Sequence, residues 1–529
     1  MARPLQVVII KPSKYTADGY VERFRWGFMP NSTVPYLRSM TPSVVGDTPA
    51  EVHTVDEYVH TDLDYLSLLR RGRRDRTLVA LVGVQSHQFH RALDLAAYAR
   101  RYGCMVVIGG PHAITCDTSM LHDSGVSFAL AEAELVWPEI LHNAAEGELQ
   151  PVYGQHQRWQ QELEAPVLVP PEPKDLSQYV IPMLGLYPAR GCPFICNFCS
   201  VIKIAGRRIR SQKVATTMAS LRAAKAAGVR TIMFTSDNFN KYPGATELLT
   251  EMVERRLGLE FFVQCDTQIA RQEQLVELLA KAGCYQMFVG VESFNRQTLL
   301  AAQKGQNRPE MYRDIVRLCR EHGISSHFSN IIGFPQDTQQ EIDEHLETLR
   351  AMNPTWASFY ILCPIPGTEQ YDDFLADGLI TEKNLDRFDT TCLTWRHPCF
   401  SHERLSQMLF DCYRKFFSWR HMLQNVRDEM GFHKQSVLAR SAGGMAMSLF
   451  NRFCAWRKTH PMSGGIIRVL RDSAADFIAW RKETFGFEMA PLPRSLALRA
   501  PENQPTLAVA RVSARQEPGD LILVDECER

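Results

Sequence analysis

The chain has no net charge, because 59 lysines and arginines balance 59 aspartates and glutamates. That balance removes overall basicity as a sign of nucleic-acid binding. It also lacks any apolar run approaching the roughly 18 residues that span a bilayer, so no transmembrane segment is expected. The stretch Leu5 to Ile10 is too short for a secretory apolar region, and no small-residue cleavage site follows it. The expected compartment is the cytoplasm, where fourteen cysteines do not suit a disulfide framework. Any that cluster are read as metal ligands or redox groups. A length of 529 residues leaves room for about three domains.

Two stretches alternate strands with helices, the mark of an α/β chain. In the first, residues 1–150, Leu5 to Ile10, Leu78 to Val84 and Met105 to Ile108 read as strands and Phe89 to Tyr102 as an amphipathic helix. This implies a doubly wound, Rossmann-like parallel sheet, in which ligands sit at the carboxyl ends of the strands. Those ends are Gln85-Ser86-His87 and Gly109-Gly110-Pro111-His112-Ala113. Residues 12 to 50 show no repeat and support no assignment. The domain has no Gly-x-Gly-x-x-Gly and no Walker-type loop, which argues against a nucleotide.

A linker over 151–182 is kept extended by Pro166, Pro170, Pro171 and Pro173. Over 183–375 strands are expected at Met183–Tyr187, Thr231–Phe234, Phe261–Cys265, Gln286–Val291, Ser326–Ile332 and Ala357–Leu362. Helical patterns lie between them near 214–227, 244–256, 271–282, 309–322 and 338–351. Six such units suit a partial (β/α)6 barrel with functional groups at the strands' C-terminal ends. Residues 376–490 read as a helical C-terminal domain, and 491–529, rich in Pro, Arg and Glu, as a disordered tail.

Eleven of the fourteen cysteines are scattered and read as small buried apolar residues. The other three lie in Arg190-Gly191-Cys192-Pro193-Phe194-Ile195-Cys196-Asn197-Phe198-Cys199, directly after the first barrel strand. Three thiolates on one short loop can hold three irons of a 4Fe-4S cluster and leave the fourth without a protein ligand. A structural zinc site would want four ligands, and no matching second Cys-x2-Cys unit is found.

This loop resembles that of the radical S-adenosylmethionine (SAM) superfamily over about 183–375, with Cys192, Cys196 and Cys199 matching the triad without departure. The resemblance implies that the open iron binds the amino and carboxylate groups of SAM, and that reduction releases a 5′-deoxyadenosyl radical. It places Phe198 near the adenine, with core packing as the alternative. Thr235-Ser236-Asp237-Asn238-Phe239 stands where the family often has Gly-Gly-Glu, which makes Ser236 and Asp237 candidates for the amine contact. Gln264 and Glu292 end strands where the ribose or amino acid moiety would lie, although Gln264 also fits a purely structural hydrogen bond. Ser329 and Asn330 are further ribose candidates.

A doubly wound domain ahead of such a barrel is similar to the cobalamin-binding branch of the superfamily. The matching text is Gln85 and Ser86, then Gly109, Gly110, Pro111 and His112, then Glu132 and Glu134. Ala131 and Ala133 stand where the branch commonly has glycine. No Asp-x-His-x-x-Gly supplies an imidazole for cobalt; Asp343-Glu344-His345 lacks the glycine. His112 contacts the cofactor or merely holds its loop, and His87 and His90 read as surface or loop residues.

The implied enzyme is a cobalamin-dependent radical SAM methyltransferase acting on an unactivated carbon of a small-molecule or lipid-like substrate. A flavodoxin or ferredoxin would donate electrons. An oxidative cyclase of tetrapyrrole biosynthesis and a non-catalytic cobalamin or redox sensor are the alternatives. Residues 401 to 488 hold 14 Lys plus Arg against 8 Asp plus Glu, with Trp419, Trp456 and Trp480 interleaved. Such helices suit peripheral contact with an anionic membrane, the embrace of an acidic or lipid-like substrate, or an ordinary cap with a solvated basic face.

Overall fold

Uninterrupted aliphatic runs build the centre of the first sheet, where Val7 to Ile10 and Leu78 to Leu81 are fully buried, as strands covered on both faces must be. The computed structural model describes residues 3–60, 64–70, 76–432, 437–461 and 464–496. Its first sheet has seven strands in the order Val44–Val45, Thr48–Asp56, Leu5–Lys11, Thr77–Leu81, Met105–Gly109, Ser127–Ala129 and Val152–Tyr153. All neighbours are parallel except the two-residue edge strand Val44–Val45. The chain builds outward in both directions from Leu5–Lys11, which creates a topological switch point beside it. The unassigned stretch 12–50 holds a helix, Thr33–Met40, and the start of the strand Thr48–Asp56.

The second sheet has six parallel strands in chain order: Met183–Leu186, Thr231–Phe234, Glu260–Cys265, Cys284–Glu292, Ser325–Ile332 and Trp356–Ile361. Each pairs with the next, while the first and last stay apart, giving an open partial barrel. Helices Val214–Ala226, Ala245–Glu254, Glu273–Ala282, Tyr312–Glu321 and Gln339–Met352 cover its outer face. The last of these starts with a capping box, in which Thr338 and Glu341 satisfy each other's backbone N–H groups.

The C-terminal region departs from the expectation of one helical domain. His402–Phe416, Trp419–Phe432 and Val437–Trp456 pack beside the last barrel strand. The following segment returns to the N-terminal domain: Gly465–Arg468 pairs antiparallel with Phe24–Gly27, and helix Ala475–Phe485 lies on Phe89–Arg101. There Arg481 forms two hydrogen bonds to buried Asp94, at 2.7 and 2.5 Å. The start of the expected disordered tail is also paired. Asp117 N donates to the Arg494 carbonyl and Leu496 N to the Thr115 carbonyl, while residues 497–529 lie outside the described residues. No helix among the described residues is long and apolar enough to cross a membrane.

One glycine fixes the ligand end of the first sheet. Gly110 has φ +136°, and a Cβ there would lie 2.2 Å from the Val84 backbone nitrogen. Gly110→Ala is therefore expected to cost about 3 kcal/mol from backbone strain and forced displacement of the neighbouring loop. A denaturant midpoint unchanged from wild type would contradict this.

Candidate active site

The cysteine loop leaves the barrel through a two-residue ribbon, Ala189–Arg190 paired antiparallel with Arg210–Ser211. Gly191 follows at φ +101°, where a Cβ would lie 2.3 Å from the Arg208 carbonyl oxygen. All three thiols are free; Cys196 is buried and Cys192 and Cys199 are half-buried. Asn238 Nδ2 lies 3.0 Å from Cys192 Sγ, and Gln306 Nε2 lies 3.3 Å from Cys196 Sγ. Burial pushes the Cys192 thiol up to about 11 and the Cys199 thiol up to about 12. Such thiols ionise readily only when a metal takes the place of the proton, and amide N–H groups aimed at sulfur then stabilise the thiolates. This donor set fits an iron–sulfur cluster held by three cysteines.

The carboxyl ends of the barrel strands converge on this loop. Asp237 accepts a hydrogen bond from Gly191 N at 3.1 Å, and burial pushes its carboxyl up to about 6. Glu292 ends the fourth strand at φ +62°, a left-handed conformation uncommon for a residue with a side chain. It pairs with Lys304 at 2.8 Å and accepts from Ser329 Oγ at 3.2 Å. Burial works against the Lys304 charge, but Glu292 outweighs it and holds the ammonium above the usual lysine range. Lys304 Nζ lies 5.6 Å from the Phe198 ring centre, and Phe198 meets Phe334 edge-on at 6.3 Å. Phe198, Glu292, Ser329 and the unanticipated Lys304 thus form one group.

Two expected SAM contacts fall elsewhere. Ser236 is buried, and its Oγ accepts the Ala189 N–H at 3.0 Å, so it fixes the ribbon that carries the cysteine loop. Asn330 is fully buried and donates to the Phe328 and Ser358 carbonyls, while its Oδ1 meets His345 Nε2 at 3.0 Å. Alternation along the strand turns it to the helix layer when Ser329 faces inward.

A cleft of about 500 Å³ separates the strand ends of the two sheets. Its N-terminal wall includes Gln85, Gly109, Gly110, Pro111, Glu132 and Glu134; Asp237 and Gln264 face them from the barrel. Ser86 and His112 do not line it. His112 is buried, with Nδ1 3.0 Å from Ser86 Oγ and its ring centre 3.9 Å from that of Phe89. This pair holds the loop behind the wall. His90, expected at the surface, is instead buried, accepting the Ala490 N–H and meeting Asp386 at 3.2 Å.

Burial lowers the His112 pKa from 6.5 to about 3, with His90 adding a smaller push in the same direction. In the unfolded chain the imidazole takes up a proton below about pH 6.5, while in the folded chain it stays neutral down to about 3. The unfolded state therefore binds more protons in that window, and stability falls as pH falls. His112 alone is expected to contribute about 2 kcal/mol less stability at pH 5 than at pH 8. His112→Gln should flatten that part of the denaturation profile; an unchanged profile would refute the assignment.

The cleft and the cysteine loop are joined by charge. Arg190, next to Gly191-Cys192, meets Glu132 at 3.2 Å and Glu134 at 2.7 Å. Arg210, across the ribbon, grips Glu132 with two hydrogen bonds of 2.7 Å. Tyr36 donates to Glu134, and its ring lies 5.2 Å from the Arg190 guanidinium. Burial would raise the Glu132 pKa, but Arg210 and Arg190 together hold it below the usual carboxylate range. The two glutamates assigned to a cofactor are thus taken up by arginines of the other domain. Neither arginine was singled out from the sequence.

The model of the radical SAM superfamily matches residues 186–349, the stretch containing the three cysteines and four of the six strands in full. These residues form a radical SAM domain. A bacteriochlorophyllide d C-8(2)-methyltransferase of Chlorobaculum tepidum is 25% identical over 404 residues, covering 71% of this chain and 84% of the relative. The fold matches the radical SAM methyltransferase TsrM of Kitasatospora setae, solved with cobalamin and a 4Fe-4S cluster, at a TM-score of 0.53 and 18% identity. That match covers 71% of this chain and 75% of TsrM. OxsB, solved with aqua-cobalamin and SAM, matches at a TM-score of 0.54 and 13% identity over 85% of this chain and 72% of its own. These structures share the pairing of a doubly wound domain with a radical SAM barrel.

Proposed function

We propose that the chain is a cobalamin-dependent radical SAM enzyme that transfers a methyl group to an unactivated carbon. The observation that carries this reading is the cleft between the two sheets, walled on one side by a flat row of strand ends and on the other by the barrel mouth. The first wall carries a run of small residues, Gly83, Gly109, Gly110, Ala129, Ala131 and Ala133, beside the larger Tyr36, Trp137 and Ile140. A broad macrocycle fits against such small residues. Among the described residues no histidine lines the cleft, which suits cobalamin held without a protein imidazole. Gln85, Gly109, Gly110 and Pro111 would hold it, and Cys192, Cys196 and Cys199 would hold the 4Fe-4S cluster. When bound, the cluster and SAM supply a deoxyadenosyl radical and cobalamin supplies the methyl group.

The residues of the chain do the positioning. Asp237 braces the cysteine loop through Gly191 N and stands ready for the amine of SAM. Gln264, Glu292 and Ser329 offer polar atoms to its ribose and amino acid parts, with Phe198 beside the adenine. Lys304 holds the Glu292 side chain in place. A flavodoxin or ferredoxin is the proposed electron donor, and the acceptor is a small molecule or a lipid-like one.

Methyl-labelled SAM, given to the anaerobic cobalamin-loaded chain with bacteriochlorophyllide d and a hopanoid as probe acceptors, tests the outcome. Label recovered in a product one methyl group heavier is expected. An oxidised product without label would instead identify cyclase chemistry, and absence of 5′-deoxyadenosine under every condition would leave only a sensor.

A further inference from the structure

The helical hairpin Trp419–Phe432 and Val437–Trp456 carries an apolar face that the rest of the fold does not cover. Trp419 and Leu423, one turn apart, are 60% and 65% exposed. On the second helix Phe453 and Trp456 are 56% and 68% exposed, and Leu449 continues the same stripe. Arg452 joins the two helices, with its guanidinium 6.0 Å from the Trp419 ring and hydrogen bonds to the Arg414 and Phe417 carbonyls. The rim is basic. Exposed Arg420, Arg457 and Lys458 have no acidic partner among the described residues, and no Asp or Glu occurs between residues 444 and 461. The opposite faces of these helices are anchored: Cys454 and Ala455 are buried, and Phe450 stacks on Phe28 at 6.2 Å.

We propose that this face docks on an anionic lipid bilayer. Tryptophan, phenylalanine and leucine flanked by arginine and lysine match the boundary between acyl chains and charged headgroups, where the rings sink in and the cations stay with the phosphates. The basic rim selects an anionic lipid surface over an acid-poor protein partner. Docking leaves the cleft free. His421 meets the Pro354 carbonyl and Asn425 the Thr355 carbonyl, both at the N-terminal end of the last barrel strand, whereas the cleft opens at the C-terminal ends.

The test is cosedimentation of the full chain with vesicles of phosphatidylcholine alone or containing about one-third phosphatidylglycerol. The chain is expected to pellet with the anionic vesicles and to be released by salt. Trp419→Ala and Trp456→Ala should each weaken partitioning about tenfold, and Arg420→Glu and Lys458→Glu should do the same. Melting temperature and 5′-deoxyadenosine formation should stay at wild-type levels in all four variants. The proposal is overturned if anionic vesicles do not pellet the chain, if the tryptophan variants pellet as wild type does, or if the chain is a dimer that Trp456→Ala splits. The last result would assign the face to a second copy. None of these outcomes bears on the cleft, so the proposed methyl transfer stands or falls separately.

Discussion

Replacing Cys192, Cys196 or Cys199 by alanine is expected to abolish SAM cleavage, with 5′-deoxyadenosine falling below detection under reducing, anaerobic conditions. Each thiolate would hold one iron, so two remaining cysteines leave two irons without protein ligands and the cluster is lost. The brown absorbance of the reconstituted protein should disappear with it. The loop itself does not depend on the cluster for its shape. Gly191 and the ribbon to Arg210 set its path, and the Asn197 N–H is held by the Ala302 carbonyl at 3.2 Å. Iron-free variants should therefore melt where the iron-free wild type melts. Retained absorbance in any single variant would mean that the triad is not the ligand set. A milder change is expected from Asn238→Ala, which removes the amide 3.0 Å from Cys192 Sγ and should lower the cluster potential without emptying the site.

The second large effect belongs to Arg190. Replacement by methionine leaves Glu134, whose side chain is 3% exposed, with Tyr36 as its remaining hydrogen-bond partner, while Glu132 keeps Arg210. An uncompensated buried carboxylate of this kind costs about 3–5 kcal/mol, and Arg190→Met should lose that much in denaturant unfolding of the iron-free chain. Adding Glu134→Gln should restore about 2 kcal/mol, because the orphaned charge is removed with its partner. Additive losses in the double variant would show that the pair is not coupled. Arg190 also stands two residues before Cys192, so cofactor effects should follow. Loosening the bridge between the first domain and the cysteine loop should raise the KM for SAM while Arg190→Lys rescues part of it.

The barrel was readable because most of its strands are short apolar runs followed by a helix pattern. Thr231–Phe234 falls where the sequence places it, and the other five strands differ by one or two residues at an end. The first domain was harder. Thr48–Asp56 is half-exposed along its length, with polar residues at Glu51, His53 and Thr54, so its alternation is too weak to see. The cysteine triad could be read because its chemistry is local. Glu132, Glu134, Arg190 and Arg210 could not, because a carboxylate near residue 130 and a guanidinium near 190 reveal their pairing only once two domains meet. One signal was present: an arginine directly beside a buried cofactor loop needs carboxylates, and Glu132 and Glu134 stand at a strand end facing it. Asn330 was misplaced for a simpler reason. A one-residue step along a strand reverses the face, and the sequence offered both Ser329 and Asn330.

The central claim is that one chain holds a radical-generating cluster and cobalamin across a single cleft. The most direct test is anaerobic reconstitution with iron, sulfide and hydroxocobalamin, followed by desalting and measurement of iron, cobalamin and 5′-deoxyadenosine on the same sample. The account predicts four irons and one cobalamin per chain, both retained, with 5′-deoxyadenosine formed from SAM on reduction. A chain that keeps its irons and cleaves SAM yet loses all cobalamin on desalting would contradict it.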